Sequence, residues 1–330
     1  YTFDEKRGFE RTMVGVKIGK KEYTPNYEDL KMQWGEEGNI PAVIASWSCD
    51  ALKVFEIFLI PSYEDAALLR VVVLSNTTKQ KISGDLLVDF GLTGSKPIKE
   101  KFDFKVTPGK ETALFFRYDL DKDRKKIKVS HLTDEHIPLE NDLYWAGTNF
   151  INFNNEKLNH LFFASKSQIA ATISNSARMD ASIWQYNREW VRDMSNVALG
   201  NLYSGHTEVA RRILQRLIDE FIDESGSSVD SSLVRPIAEV ELDQNGILLY
   251  AIWQYWMWTD ETDIITKNWE KIKALAEFPL QDCFWDKKAR LLKNRREYWE
   301  RHDIHGVTNG FEMTYQMFPV LGLEKASDMA

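Results

Sequence analysis

The chain has 330 residues and a mass of 38.4 kDa, which predicts two domains at about 100–200 residues each. Hydrophobic residues make up 43% and charged residues 28%, a composition that excludes extended disorder. The net charge of -8 argues against a nucleic-acid-binding protein, because such proteins need a concentrated basic surface. No apolar run reaches the roughly 18 residues of a membrane span, so we predict no membrane partner.

The first half of the chain carries strand patterns. Short runs rich in β-branched and aromatic residues alternate with polar turns, and the turn at Val106-Thr-Pro-Gly109 is the clearest of these. The predicted strands include residues 53–60, 67–75, 84–90 and 112–118. Repeated short strands of this kind predict an antiparallel β-sandwich, which we assign to residues 1–140, with a linker over 141–153.

Helical periodicity begins near Asn154. The predicted helices cover residues 156–173, 207–223, 243–258, 262–278 and 307–321. Thr207 is the expected N-cap of the second, and the third is apolar nearly all round, which predicts a buried helix. Alternation of buried and amphipathic helices is typical of two concentric helix rings, so residues 154–330 are expected to form about the first half of an (α/α)6 toroid.

The most unusual local segment is Ile183–Met194, which packs several aromatic residues beside charged ones. Arg192 has a planar fork of donors and Asp193 an adjacent acceptor, a pair that suits two neighbouring sugar hydroxyls. A structural alternative is open: a helix N-terminus that favours Asp193, with Arg192 in a surface ion pair.

A second charged segment, Asn294–Gly310, precedes the last predicted helix. Glu300 stands next to Trp299, and a carboxyl beside an indole has its pKa raised by desolvation, as a general acid requires. Glu297 is the nearby competitor for this role. A solvated loop of Glu and Arg is the structural alternative.

Metal and cofactor sites are not expected. His302 and His305 flank Asp303, but the segment lacks a third and a fourth ligand. Cys49 and Cys283 are far apart in the sequence and lack metal-ligand spacing. The chain has no Gly-rich phosphate loop after a strand and no EF-hand-like loop. It also shows no signal peptide, which leaves both a cytoplasmic and a secreted location open, as is the oligomeric state.

Three short motifs resemble those of glucoamylase-like glycoside hydrolases. Trp190-Val-Arg-Asp193 resembles an aromatic-x-Arg-Asp loop, and Glu241-Leu-Asp-Gln-Asn-Gly246 resembles a Gln-Leu-Asp-x-x-Gly element in which Glu replaces Gln. Tyr298-Trp-Glu-Arg301 resembles the Leu-Trp-Glu-Glu motif, with Arg in place of its second Glu. The strand segment Arg70–Asn76 is similar to the N-terminal sandwich of bacterial glucoamylases and of inverting phosphorylases.

The resemblance implies an inverting hydrolase that releases glucose from the non-reducing ends of α-glucoside oligosaccharides or polysaccharides. It makes Glu300 the general acid and assigns substrate binding to Arg192, Asp193, Trp190, Trp299, Asp243, Tyr186 and Trp184. Because the family's general base lies near the end of the toroid, we expect this chain alone not to complete the reaction. An inverting phosphorylase and a catalytically silent sugar-binding protein are the alternatives.

Overall fold

A computed structural model describes residues 9–50, 52–62, 67–92, 96–121, 126–133, 139–174, 176–179, 181, 188–228, 240–293 and 310–330. The chain divides into two compact units, Tyr1–Gly147 and Thr148–Ala330. Antiparallel sheets make up the first and helices most of the second. This confirms the predicted fold class, a β-sandwich followed by helices of a partial toroid.

Two antiparallel sheets build the first unit. The smaller has the strand order β2 (Lys21–Tyr23), β1 (Phe9–Ile18), β7 (Ile82–Leu92) and β8 (Ile98–Val106). The larger has the order β10 (Ile127–Leu132), β9 (Glu111–Leu120), β6 (Ala67–Asn76), β5 (Leu52–Leu59), β4 (Ile40–Cys49) and β3 (Lys31–Glu37). A short helix, α1 (Leu139–Ala146), follows the strands.

The sandwich core comes from the alternation of side chains along each strand. Val14 and Val16 of β1 and Val72 and Leu74 of β6 are buried in one cluster, so apolar faces of both sheets meet there. Apolar residues at every second position therefore explain both the strand pattern in the sequence and the packing of the two sheets.

A buried polar network lies within this apolar core. The Arg70 guanidinium donates from Nε to Oε2 of Glu56 at 3.0 Å, and its Nη2 donates to the same oxygen. Trp47 Nε1 donates to the other Glu56 oxygen at 2.9 Å, and the Tyr118 hydroxyl accepts from Arg70 Nη1 at 3.3 Å. Arg70 and Glu56 are buried, so each charge depends on the other for compensation.

Helices dominate the second unit. In chain order they are α2 (Glu156–Ala171), α3 (Val191–Tyr203), α4 (Thr207–Arg216), α5 (Asp243–Thr259), α6 (Asp263–Lys267), α7 (Trp269–Glu277) and α8 (Met313–Met329). A hairpin of β11 (Trp285–Asp286) and β12 (Leu291–Leu292) lies between α7 and α8. Within the described part of the chain, no helix is long and apolar enough to cross a membrane.

Two helix predictions are wrong in their extent. The helix predicted over 207–223 changes to a wider π-helical turn at Leu217–Phe221, and its N-cap is His206 rather than Thr207. The helix predicted over 262–278 is interrupted at Asn268, whose amide nitrogen donates to the Ile264 carbonyl at 2.8 Å. The side-chain amide of Asn268 thus competes with the backbone hydrogen bonds that would continue the helix.

Two further predictions need correction. Helix α5 is buried in its first half, but Met257 and Trp258 in its last turns are exposed, because hydrophobicity alone does not tell which turns find a partner. Helix α8 begins at Met313, after the predicted start at Val307, and Val307 lies outside the described residues.

Helices α3, α5 and α8 run in the same direction. Arg192 and Asp243 pair at the N-terminal ends of α3 and α5, and Tyr203 contacts Trp258 at their C-terminal ends. Helix α8 crosses α5 so closely that a Cβ on Gly246 would lie 1.9 Å from the Phe318 carbonyl oxygen. Further along both helices, Lys325 of α8 lies over the Trp253 ring of α5. The N-terminal ends of α3, α5 and α8 therefore lie at the same end.

Candidate functional site

A buried ionic cluster occupies the N-terminal ends of α3 and α5. Arg192 donates from Nε to Oδ2 of Asp243 at 2.6 Å and from Nη2 to Oδ1 at 3.1 Å. Its Nη2 also donates to Glu241 Oε2. The two carboxylate side chains are 0% exposed, whereas 14% of the Arg192 side chain is exposed. The ion pair is thus buried, not on the surface as the structural alternative assumed.

The local sequence explains why these groups lie at helix starts. Trp190 takes an extended N-cap conformation, with φ -118° and ψ 130°, so Arg192 and Asp193 fall in the first turn of α3. Asp243 is the first residue of α5. The positive end of each helix dipole favours a carboxylate there, which stabilises the acidic members of the cluster.

The charges in the cluster do not cancel among the three paired side chains. Burial opposes the charge of Arg192, but its hydrogen bonds and attraction to Asp243 and then Glu241 raise the pKa of the guanidinium above its usual value. Arg192 is therefore cationic at all working pH values. Two carboxylates facing one guanidinium leave these three side chains with a formal charge of -1.

Two more ionisable side chains respond to this environment. Desolvation raises the pKa of Asp193, and the positive charge of Arg192 partly opposes the rise. Tyr315, near the start of α8, is fully buried; desolvation and then the charges of Glu241 and Asp243 hold the pKa of its hydroxyl above the usual range. Tyr315 is therefore a protonated phenol near the ionic cluster.

The first turn of α5 also carries two buried amides. Asn245 donates from Nδ2 to the carbonyls of Gly226 and Leu275, both at 3.0 Å, and so anchors the helix start. Gln244 is fully buried, and neither its amide nitrogen nor its oxygen has a hydrogen-bond partner among the described residues. A buried amide without partners costs free energy, because it loses its hydrogen bonds to water on folding.

The predicted site residues fall into three groups. Arg192 and Asp243 lie together in the cluster, with Asp193 next to Arg192 in the chain. Trp190 is 7% exposed, so little of its ring is open to a ligand in this structure. Glu300, Trp299, Tyr186 and Trp184 lie outside the described residues. The predicted roles of the residues in all three groups stay predictions.

The sequence did not single out two members of the site. Glu241 was named as the first residue of the Glu241–Gly246 motif but not as a site residue, and nothing in the sequence pointed to Tyr315. In the part of the chain that the structure describes, no three His, Cys, Asp or Glu side chains come together as a metal site. His302 and His305 lie outside that part.

Part of the chain is similar to a known protein. No family model matches the chain. The chain is 27% identical over 185 residues to trehalase 1 of Sulfolobus acidocaldarius, an alignment that covers 47% of this chain and 32% of that protein. The chain thus spans about a third of the length of this curated relative.

Proposed function

We propose that this chain is part of a glycoside hydrolase. The observation that carries the proposal is Arg192, held by two buried carboxylates at the shared end of three parallel helices. The similarity to a trehalase supports the same class of reaction, hydrolysis of a glycosidic bond. A sandwich followed by helices is also the architecture that the sequence motifs lead us to expect.

In this proposal Arg192 binds sugar hydroxyls. Of its side chain 14% is exposed, while Asp243 and Glu241 accept hydrogen bonds from Nε and Nη2 and fix the plane of the guanidinium. A fixed donor loses less entropy on binding a hydroxyl than a mobile one, and orientation of this kind lowers the barrier of the chemical step. Asp243 and Glu241 are positioning residues, and Asp193 is a second hydroxyl-binding group.

The finer proposal is inversion at the anomeric carbon. Glu300 protonates the leaving oxygen while a carboxylate activates water on the opposite face of the sugar. We assign the general base to no residue of this chain. The substrate class is an α-glucoside at its non-reducing end, and trehalose joins the candidates because the relative is a trehalase. Trp184, Tyr186, Trp190 and Trp299 are the proposed lining of the sugar pocket.

The test compares Glu300→Gln with Glu297→Gln in the intact protein, meaning the whole glycoside hydrolase of which we propose this chain is a part. It measures turnover of trehalose and maltooligosaccharides together with sugar affinity. Loss of a general acid lowers kcat by about 10²–10⁴-fold and leaves affinity near that of the wild type. Glu297→Gln controls for loss of charge in the same segment and is expected to keep turnover. Equal turnover by wild type and Glu300→Gln would remove Glu300 from the mechanism, and no hydrolysis by the wild type would favour a silent binding protein.

A further inference from the structure

An aromatic surface lies at the opposite end of the helices from the ionic cluster. It consists of Tyr203 at the end of α3 and Tyr250, Trp253 and Trp258 on α5. Trp258 follows Asp243 on the same helix by about four turns, which places it ~22 Å along the axis from the cluster. It is therefore separate from the proposed hydrolytic site.

Two rings of this surface are open to solvent. Trp258 is 52% exposed and Tyr203 is 41% exposed. Their centroids are 5.3 Å apart and their planes are tilted by 58°, so the two rings are in contact but do not share one plane. Aromatic side chains with an apolar face and a polar tip are enriched at binding interfaces, so this exposed pair is a candidate surface for a ligand.

Hydrogen bonds fix the orientation of the tyrosine rings. The Tyr203 hydroxyl bonds that of Tyr250, which also accepts from Gln254 Nε2 at 2.8 Å. Desolvation and then the Tyr250 hydroxyl raise the pKa of Tyr203 to about 12, so the Tyr203 hydroxyl is neutral at physiological pH. The exposed rings thus have a rim of hydroxyl and amide groups in fixed positions.

A lysine near this surface is already paired with two carboxylates. Lys325 Nζ lies 4.4 Å from the centroid of the Trp253 ring, which stacks with Tyr250 at 6.1 Å. The same ammonium pairs with Glu324 at 2.8 Å and with Asp328 at 3.1 Å. Because the cation already has two carboxylate partners, the surface offers no net attraction to an anionic ligand and suits a neutral one.

A second exposed apolar stripe, on α8, has a different character. Met313, Met317 and Val320 are exposed at helical spacing, and the stripe is aliphatic. Aliphatic stripes suit another helix, since side chains of this kind interdigitate. Rigid rings with a hydroxyl rim suit a pyranose, which has apolar C–H faces and outward hydroxyl groups. The contrast favours a sugar on the aromatic surface.

We propose that the surface formed by Tyr203, Tyr250, Trp253 and Trp258 is a second, non-catalytic binding site for a neutral oligosaccharide. One pyranose ring stacks on Trp258, and its hydroxyls bond the Tyr203 and Tyr250 side chains. A site remote from the ionic cluster would hold a long glycan on the protein while another part of that glycan reaches the cluster. The binding itself does not depend on hydrolysis.

The test is calorimetric titration of the full chain with maltoheptaose and, separately, with cellohexaose. Trp258→Ala is expected to weaken binding by about tenfold or more at one site, because it removes the stacking face. Tyr203→Phe keeps the ring and removes its hydroxyl, so it is expected to weaken binding less. Trp285→Ala is the matched control, since Trp285 is an exposed tryptophan elsewhere in the unit, on the β11–β12 hairpin, with 41% exposure.

Three results would overturn the proposal. In the first, neither oligosaccharide binds the wild type, or Trp258→Ala binds as the wild type does. In the second, Trp258→Ala and Trp285→Ala weaken binding equally, which would mean a general effect of tryptophan loss. In the third, light scattering shows that Trp258→Ala changes the oligomeric mass while sugar affinity is retained, so that the surface is a protein contact.

Discussion

Arg192 and Asp243 are 51 residues apart in the sequence, yet both oxygens of Asp243 accept hydrogen bonds from one guanidinium, at 2.6 and 3.1 Å. Glu241 accepts from the same guanidinium. Two buried acids thus pair with the same cation. Removal of the cation is therefore expected to lower the stability of the cluster more than removal of either acid.

Arg192→Met is therefore expected to destabilise the helical unit by about 3–5 kcal/mol at neutral pH, because two buried carboxylates lose their hydrogen bonds and attraction to the guanidinium. Asp243→Asn leaves Arg192 paired with Glu241 and is expected to cost less. The control is Arg211→Met, whose exposed pair with Glu208 contributes little. Urea unfolding followed by helical circular dichroism measures all three. Equal midpoints for Arg192→Met and Arg211→Met would contradict the prediction.

The crossing of α5 and α8 depends on Gly246. A Cβ at this position would lie 1.9 Å from the Phe318 carbonyl oxygen, so Gly246→Ala must push the helices apart. We expect a loss of at least about 3 kcal/mol, because backbone atoms cannot move aside as a side chain does. Gly147→Ala is the control, since its Cβ would meet the nearest atoms at 3.4 and 3.5 Å. A Gly246→Ala protein as stable as this control would show that the crossing is looser than described.

The buried pair in the sandwich gives a third prediction. Arg70→Met leaves Glu56 buried with only the Trp47 indole as a described donor and is expected to cost about 3–5 kcal/mol. Lys21→Met removes an exposed pair with Asp50 and is expected to leave stability near that of the wild type. Denaturant unfolding followed by tryptophan fluorescence compares the two, and the account fails if both shift the midpoint alike.

His206 makes stability depend on pH. Burial and then the nearby Lys166 ammonium lower the pKa of His206 to about 4 from an ordinary value of 6.5, while a hydrogen bond to the Lys166 backbone opposes the shift. The unfolded chain therefore binds more protons between those values, and stability falls as the pH drops from about 6.5 towards 4. The full change is about 3 kcal/mol.

His206→Gln is expected to flatten this pH dependence, whereas His160→Gln, at an exposed position of α2, is expected to keep it. The measurement is the urea midpoint of each protein at several pH values from 4 to 7. If His206→Gln keeps the wild-type slope, the pH dependence arises elsewhere.

The sandwich was the most predictable part of the fold. Alternation at Val14, Val16, Val72 and Leu74 is a local property with a period of two residues, so the sequence contains it directly. Helix interruptions were harder, because the break at Asn268 depends on a side-chain hydrogen bond that competes with the helix ladder.

The candidate site was predictable only in part. Arg192, Asp193 and Asp243 were named from short motifs, but the direct bond between Arg192 and Asp243 was not, because pairing across 51 residues depends on how α3 and α5 pack. Tyr315 enters the site through the crossing at Gly246, a contact that no local pattern encodes. The contact between Tyr203 and Trp258 was not predictable either, because it also depends on how α3 and α5 pack.

The most direct test of the central proposal follows the anomeric configuration of released sugar by proton NMR. The intact protein is incubated with trehalose and maltooligosaccharides, with and without phosphate. The account predicts that, without phosphate, maltooligosaccharides first release β-glucose, whereas trehalose gives β- and α-glucose in equal amounts, because only the attacked anomeric carbon is inverted. Sugar phosphate formed only in the presence of phosphate, or no product from any glycoside, would contradict it.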